Sequence, residues 1–234
     1  MGATNIKALK GYLGGAPFLV VASGATMNHV DIEALRGFPM IVVNEMFRQV
    51  RPVGHRYALA HHHEHVQEAI NAGWRVVTSE YDCGFKAWGQ HAFRGDYFTY
   101  KTQENNLVPT PNISAIERDA DDELVISACT VAEAIHFAYH LGASTVILCG
   151  VDGGSLDGEY NLRGYNGGAG TNPQHVRLTY DCLMAVVTAL RAKGLRIYSL
   201  NPFVDLGLEG HRYERPPTQR GRTLVNTLNR VHRC

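Results

Sequence analysis

The chain has 234 residues, 45% of them hydrophobic, with 22 basic and 22 acidic side chains and 12 histidines. That length and apolar content suffice for a buried core in one large or two small α/β domains and argue against a disordered chain. The zero net charge provides no long-range field toward nucleic acid or an anionic membrane, so any such partner must be recognised locally. No apolar run approaches the roughly 18 residues of a membrane span, and Met1 to Lys10 lacks the apolar core of a signal peptide. The expectation is a cytoplasmic protein with no membrane span. The five cysteines, Cys83, Cys129, Cys149, Cys182 and Cys234, are odd in number and contain no C-x-x-C pair, which points to reduced thiols. Three of them, Cys129, Cys149 and Cys182, sit in apolar runs and read as small buried hydrophobes.

The first strand is predicted at Pro17 to Ser23, ending in Gly24, with a turn over Thr26, Asn28 and Asp31 before a short helix over IEALRG. Strands follow at Met40 to Asn44 and at Arg56 to Ala60, the latter running into His61-His62-His63-Glu64-His65. A helix over Glu64 to Ala72 closes at Gly73 and leads to a fourth strand, Trp74 to Ser79. From Tyr81 to Asp122 aromatic and polar residues alternate with Gly84, Gly89, Gly95, Pro109 and Pro111, the signature of an irregular insertion or lid. Regular pattern returns with a helix over Thr130 to Leu141, its stripe formed by Val131, Ala134, Ile135, Ala138 and Leu141 and its end capped by Gly142. The nearly all-apolar Thr145 to Gly150 reads as a central parallel strand leading into Val151-Asp152-Gly153-Gly154. A Gly- and Asn-rich loop, a helix over His175 to Lys193 and a last strand, Leu195 to Leu200, complete the series.

This alternation predicts an α/β, Rossmann-like doubly wound, mostly parallel sheet with helices on both faces and an irregular lid insertion. Residues 1–210 would form one catalytic domain, with 81–122 as the lid. From His211 onward, six arginines against one glutamate form a basic C-terminal arm at 211–234, packing on the body or on a neighbour and leaving a homo-oligomer open.

In such a sheet ligands bind beyond the carboxyl ends of the strands, where the strand order reverses. Those ends supply Ser23, Gly24, Asn44, the cluster at His61 and His62, Ser79, Asp152, Gly153, Gly154 and Asn201. Glycines there let backbone approach a phosphate, and asparagine offers both donor and acceptor. Neither G-x-G-x-x-G after the first strand, nor G-x-x-x-x-G-K-[ST], nor G-x-S-x-G occurs, so dinucleotide binding, P-loop hydrolysis and a serine-hydrolase elbow lose their usual signals. The HHHEH run lacks H-E-x-x-H and brings one carboxylate, and neighbouring side chains diverge, so no metal site is assigned; His61 or His62 is the cleft residue expected from it. His175 follows the loop YNGGAGTNPQ and opens a helix, where the dipole favours neutral imidazole and anions, a placement suited to a general base.

The order of these motifs resembles the bacterial sialyltransferases that use cytidine-monophosphate sugars, whose superfamily includes motility-accessory flagellin glycosyltransferases and a hydroxymethylpterin pyrophosphokinase. VVASGATMNHVDIEALRG, IVVNEMF, TVAEAIHFAYHLGASTVILCGVDGG and the late histidine carry the resemblance over roughly Pro17 to Pro202. It implies a donor site at Ser23, Gly24, Thr26, Asn44, the His61 to His62 region, Thr130, Asp152, Gly153 and Gly154. It further implies His175 as catalytic base and Tyr160 as the phenol on the leaving phosphate. Gly154 stands where a second such tyrosine is expected, and Arg163 is the substitute phosphate partner by virtue of its bidentate guanidinium.

The implied activity is transfer of a sugar from a nucleotide-activated, CMP-linked donor to a hydroxyl, independent of metal. Saccharide, protein and modified nucleic-acid base are all open as acceptors. Two alternatives differ in class. One is a pyrophosphokinase using ATP and magnesium, which would need acidic ligands such as Asp152, Asp157 and Glu159. The other is a nucleotide-binding protein without catalysis.

Overall fold

The computed structural model describes residues 2–35, 37–60, 62–80, 93–102, 112–125, 129–152, 159–165 and 173–200. Eight strands form one sheet: β1 (Ala3–Asn5), β2 (Pro17–Val21), β3 (Met40–Val43), β4 (Arg56–Leu59), β5 (Arg75–Ser79), β6 (Tyr97–Tyr100), β7 (Thr145–Cys149) and β8 (Arg196–Ser199). Their order across the sheet is β1-β6-β5-β4-β3-β2-β7-β8, and every ladder is parallel. Starting at β2, the chain moves outward through β3, β4, β5 and β6, then returns to place β7 against the other side of β2. The strand order therefore reverses between β2 and β7. This is the doubly wound α/β arrangement that the alternating pattern predicts.

Central position explains the composition of the inner strands. Phe18 to Val21, Met40 to Val42 and Val146 to Cys149 are at most 1% exposed, because both faces of the sheet are covered and alternation would leave a polar residue in the core. Burying each such side chain contributes roughly 1.5–3 kcal/mol. One face carries α2 (Ser114–Glu117), α3 (Thr130–His140) and α4 (Pro173–Ala192). The other carries α1 (His63–Asn71) and short 3-10 turns at Ala25–His29, Ile32–Leu35 and Asn44–Arg48. Parallel crossovers run antiparallel to the strands, so the N-termini of α1, α3 and α4 share the edge with the strand carboxyl ends.

The α3 helix is buried on more sides than its apolar stripe foretells. Glu133, His136 and His140 are buried with Ala134, Ile135 and Ala138, because α3 packs on β2 and β3 and against α4 beside it. The Val125 N–H donates to His136 Nδ1 (3.0 Å), and His140 Nε2 bonds the Ile6 carbonyl (2.9 Å). Burial pushes His136 down to about 3 and lowers His140 as well, so both imidazoles are neutral. The last carbonyls of the α3 turn receive the N–H groups of Gly11, Leu13 and Gly15, which pair with His140, Leu141 and Gly142.

Two described stretches within 81–122 are regular where an irregular insertion or lid is expected. Tyr97–Tyr100 is β6, a strand inside the sheet between β5 and β1, and Ser114–Glu117 is a helical turn on the core. The physical reason lies in YFTY itself: four consecutive β-formers outweigh the glycines around them. Residues 81–92 and 103–111 lie outside the described residues, as does the arm at 211–234. Among the described residues no helix is long and apolar enough to cross a membrane. Cys149 and Cys182 are fully buried, and burial pushes the Cys129 and Cys149 thiols up to about 12. Cys83 and Cys234 lie outside the described residues.

Candidate functional site

At the strand-order reversal the exits of β2 and β7 are joined backbone to backbone. Ala22 N–H donates to the Cys149 carbonyl and Gly24 N–H to the Gly150 carbonyl, each at 2.8 Å. A side chain at position 24 has no room, since a Cβ there would stand 2.4 Å from both Asp152 Oδ2 and the Gly150 oxygen. Gly150 itself has φ +65°, a left-handed conformation that suits glycine. The 3-10 turn Ala25–His29 begins without a cap from its own N-terminal residue. Asp152 supplies that cap from the neighbouring strand: its carboxylate accepts Thr26 N–H (2.7 Å) and the Thr26 hydroxyl (2.5 Å). Thr26 is 1% and Asp152 7% exposed.

Residues 159–165 lie across this junction. Gly24 and Asn161 form an antiparallel bridge, Leu162 N–H donates to the Ser23 carbonyl (2.6 Å), and the Ser23 hydroxyl donates to Asn161 Oδ1 (3.3 Å). Asn28 grips the segment twice, donating to Glu159 Oε2 (3.1 Å) and accepting Arg163 N–H (2.8 Å). Arg163 Nε donates to Glu159 Oε1 at 3.0 Å while its side chain is 74% exposed, and this bond raises its pKa. The guanidinium is thus tethered at one edge and open to solvent elsewhere. Tyr160 is half-buried in the same segment. Burial raises the Tyr165 phenol, an effect offset in part by the neighbouring Ser23 side chain and the backbone at Glu45.

Asn44, at the exit of β3, has φ +50°, a region that asparagine tolerates better than most side chains and that recurs at functional sites. That turn delivers Glu45 toward α1. His65 Nε2 lies 3.2 Å from Glu45 Oε1; Glu45 also holds Arg48, and Arg48 grips Glu68 through Nε (2.8 Å) and Nη2 (2.5 Å). The Arg48 bond lowers Glu68, and Glu68 raises Arg48. His62 is exposed at the N-cap of α1, its ring edge-on to His65 at 5.3 Å. Within the histidine run, His65 is drawn to Glu45 at the exit of β3.

Thr130 is the first residue of α3, half-buried, and the preceding Cys129 gives no side-chain cap. One turn on, the buried Glu133 accepts the Tyr100 hydroxyl at 3.2 Å; burial holds that phenol well above its usual range. His175 is the third residue of α4, on the sheet edge where the strands exit. His61, Gly153 and Gly154 lie outside the described residues.

Ser23, Gly24, Thr26, Asp152, Tyr160 and Arg163, assigned from sequence, therefore occupy one junction. Asn44 is one strand further along, while Thr130 and His62 begin separate helices. Sequence reasoning missed Glu45, His65, Glu133, Asn161 and Tyr165, and named Glu159 only as an acidic ligand of the kinase alternative. Glu133 had a signal, a lone acid inside an apolar helix, and Glu45 directly follows the strand-end asparagine. Among the described residues no three of His, Cys, Asp and Glu converge as a metal-binding group. No protein-family model, curated protein or solved structure matches the chain.

Proposed function

We propose that the chain is a glycosyltransferase-like enzyme that takes a sugar from a nucleotide-activated, CMP-linked donor and joins it to an acceptor hydroxyl. The observation that carries this reading is the junction between β2 and β7, where two glycine-lined exits meet an exposed guanidinium and a phenol at the place where open α/β sheets hold ligands. Arg163 and Tyr160 would bind the leaving phosphate, with Ser23 and Asn44 on the nucleotide. His175, in the first turn of α4, would take the proton from the attacking hydroxyl while the bond from the anomeric carbon to phosphate breaks and the nucleotide leaves with its electrons. The resemblance to the CMP-sugar sialyltransferases supplies the donor; the fold alone leaves it open.

The pyrophosphokinase reading ranks behind it. Both oxygens of Asp152 accept bonds from Thr26, and Glu159 is shared between Asn28 and Arg163, so these two acids are already engaged.

The test is release of CMP from a CMP-activated sugar in the presence of candidate acceptor hydroxyls, followed by mass spectrometry of the acceptor. His175→Ala is expected to lose about a hundredfold or more in rate while still binding CMP. A full rate in His175→Ala overturns its role, and release of no CMP with any acceptor overturns the transferase reading.

A further inference from the structure

We propose that Asn28 and Glu159 are positioning residues for Arg163, holding its guanidinium at the β2/β7 junction so that its two-nitrogen end is left for the donor phosphate. The assignment rests on the nucleotide-binding reading and says how that site readies its phosphate partner. Three bonds close a ring. Asn28 Nδ2 donates to Glu159 Oε2 (3.1 Å), Asn28 Oδ1 accepts the Arg163 N–H (2.8 Å), and Arg163 Nε donates to Glu159 Oε1 (3.0 Å). A backbone N–H only donates and a carboxylate only accepts, so the Asn28 amide has one orientation and uses both of its ends. Aspartate in its place would lack the donor, and alanine would lack both.

Both sides of the ring are anchored to the junction. Asn28 stands in the 3-10 turn Ala25–His29, whose Thr26 N–H is held by Asp152 from the exit of β7. On the other side, Asn161 bridges Gly24 and Leu162 N–H donates to the Ser23 carbonyl, so residues 159 and 163 flank two residues that are bound to the exit of β2. Arg163 joins the ring through Nε while its side chain is 74% exposed. A bond at Nε leaves the Nη1 and Nη2 end, whose fork matches two oxygens of a phosphate. An exposed ion pair of this kind adds little to stability, so the effect of the ring is expected in binding. A free arginine has to be immobilised by its ligand, which weakens binding by about two- to tenfold, and one already held has lost that freedom beforehand.

Calorimetric titration with CMP, and with cytidine in competition against CMP, gives the ratio of the two dissociation constants and so isolates the phosphate's share of the affinity. Each protein is first shown to melt cooperatively, and Arg163→Ala sets the floor of the ratio. Asn28→Ala, a neutral change, is expected to lower the wild-type ratio about two- to tenfold with cytidine affinity unchanged. The double variant Asn28→Asp/Glu159→Gln exchanges donor and acceptor around the ring at constant net charge: the new amide donates to the new carboxylate and still accepts Arg163 Nε. It should restore the ratio, whereas Asn28→Asp alone should fall at least as far as Asn28→Ala; this pair decides the matter if Asn28→Ala does not fold. A wild-type ratio in Asn28→Ala, an equal loss toward CMP and cytidine, or a double variant no better than Asn28→Asp overturns the assignment. A ratio that Arg163→Ala leaves unmoved overturns it as well, while nucleotide binding stands. Wild type that binds neither ligand removes the nucleotide reading itself, and this assignment with it.

Discussion

Replacing Asp152 by alanine removes both acceptors that hold the start of the 3-10 turn after β2. Thr26 N–H and the Thr26 hydroxyl donate to its two oxygens, and Thr26 is only 1% exposed, so water does not readily take over. Each buried donor left unpaired costs about 1–3 kcal/mol, and the 7% exposure of Asp152 argues for the lower half of the range, about 3 kcal/mol together. In a chain of this size that corresponds to a melting temperature lower by about 6–12 °C. Asp152→Asn keeps an acceptor for the N–H, lets the hydroxyl rotate to accept from the amide, and loses only the charge, so about 1 kcal/mol is expected. Thr26→Val gives up the hydroxyl bond alone, again about 1 kcal/mol. Urea unfolding followed by fluorescence of the buried Trp74 measures all three, and the Thr26→Val/Asp152→Ala double mutant should recover about 1 kcal/mol of coupling. Wild-type stability in Asp152→Ala, or additive losses in the double mutant, would refute the latch.

Gly24→Ala should destabilise by about 1–3 kcal/mol, because its Cβ would meet the Asp152 carboxylate and the Gly150 carbonyl at 2.4 Å, and Gly2→Ala, with nothing within 4 Å, serves as the control in the same urea assay. Stability should also fall with acid before the carboxylates titrate. The unfolded chain protonates its histidines near pH 6.5, whereas folded His136 resists until about pH 3, so between those values the unfolded state holds the extra proton. The contribution of His136 is fully present above about pH 6.5 and declines on acidification by about 1.4 kcal/mol per pH unit. Folded His140 is lowered too and adds in the same direction. His136→Asn, whose amide oxygen stands near the Nδ1 position and accepts Val125 N–H without a basic nitrogen, should show a shallower decline between pH 6.5 and 5; an identical slope in the two proteins would contradict the assignment.

The strands that the sequence announces are those buried on both faces, because continuous apolar runs such as TVILC leave little alternative to a central parallel strand. The helix ends at Gly73, Gly142 and Gly194 were legible for a local reason, the glycine that closes each turn. Edge and buried-polar features were not. Strand β1 is three residues long and largely exposed, too short for a period to show, and β6 hides its four β-formers in a stretch rich in Gly and Pro. The junction was legible in outline, since glycine and small polar residues after strands mark it, yet its partners were not. Asp152 meets Thr26 across 126 residues of chain, and Asn28 meets Glu159 across 131, distances at which no local pattern reports contact. His65 meets Glu45 because α1 starts at His63 and turns position 65 toward the exit of β3.

The most direct test of the central claim is the melting temperature of the wild-type protein with CMP and no added metal, alongside the other nucleoside mono-, di- and triphosphates with and without magnesium. A ligand bound only by the folded state stabilises by about 2.7 kcal/mol at a hundredfold excess over its Kd, which here is a rise of about 5–10 °C. The account predicts that rise for CMP without metal and its reduction in Arg163→Ala. Stabilisation by ATP with magnesium alone, or an unchanged melting temperature across the whole panel, would contradict it.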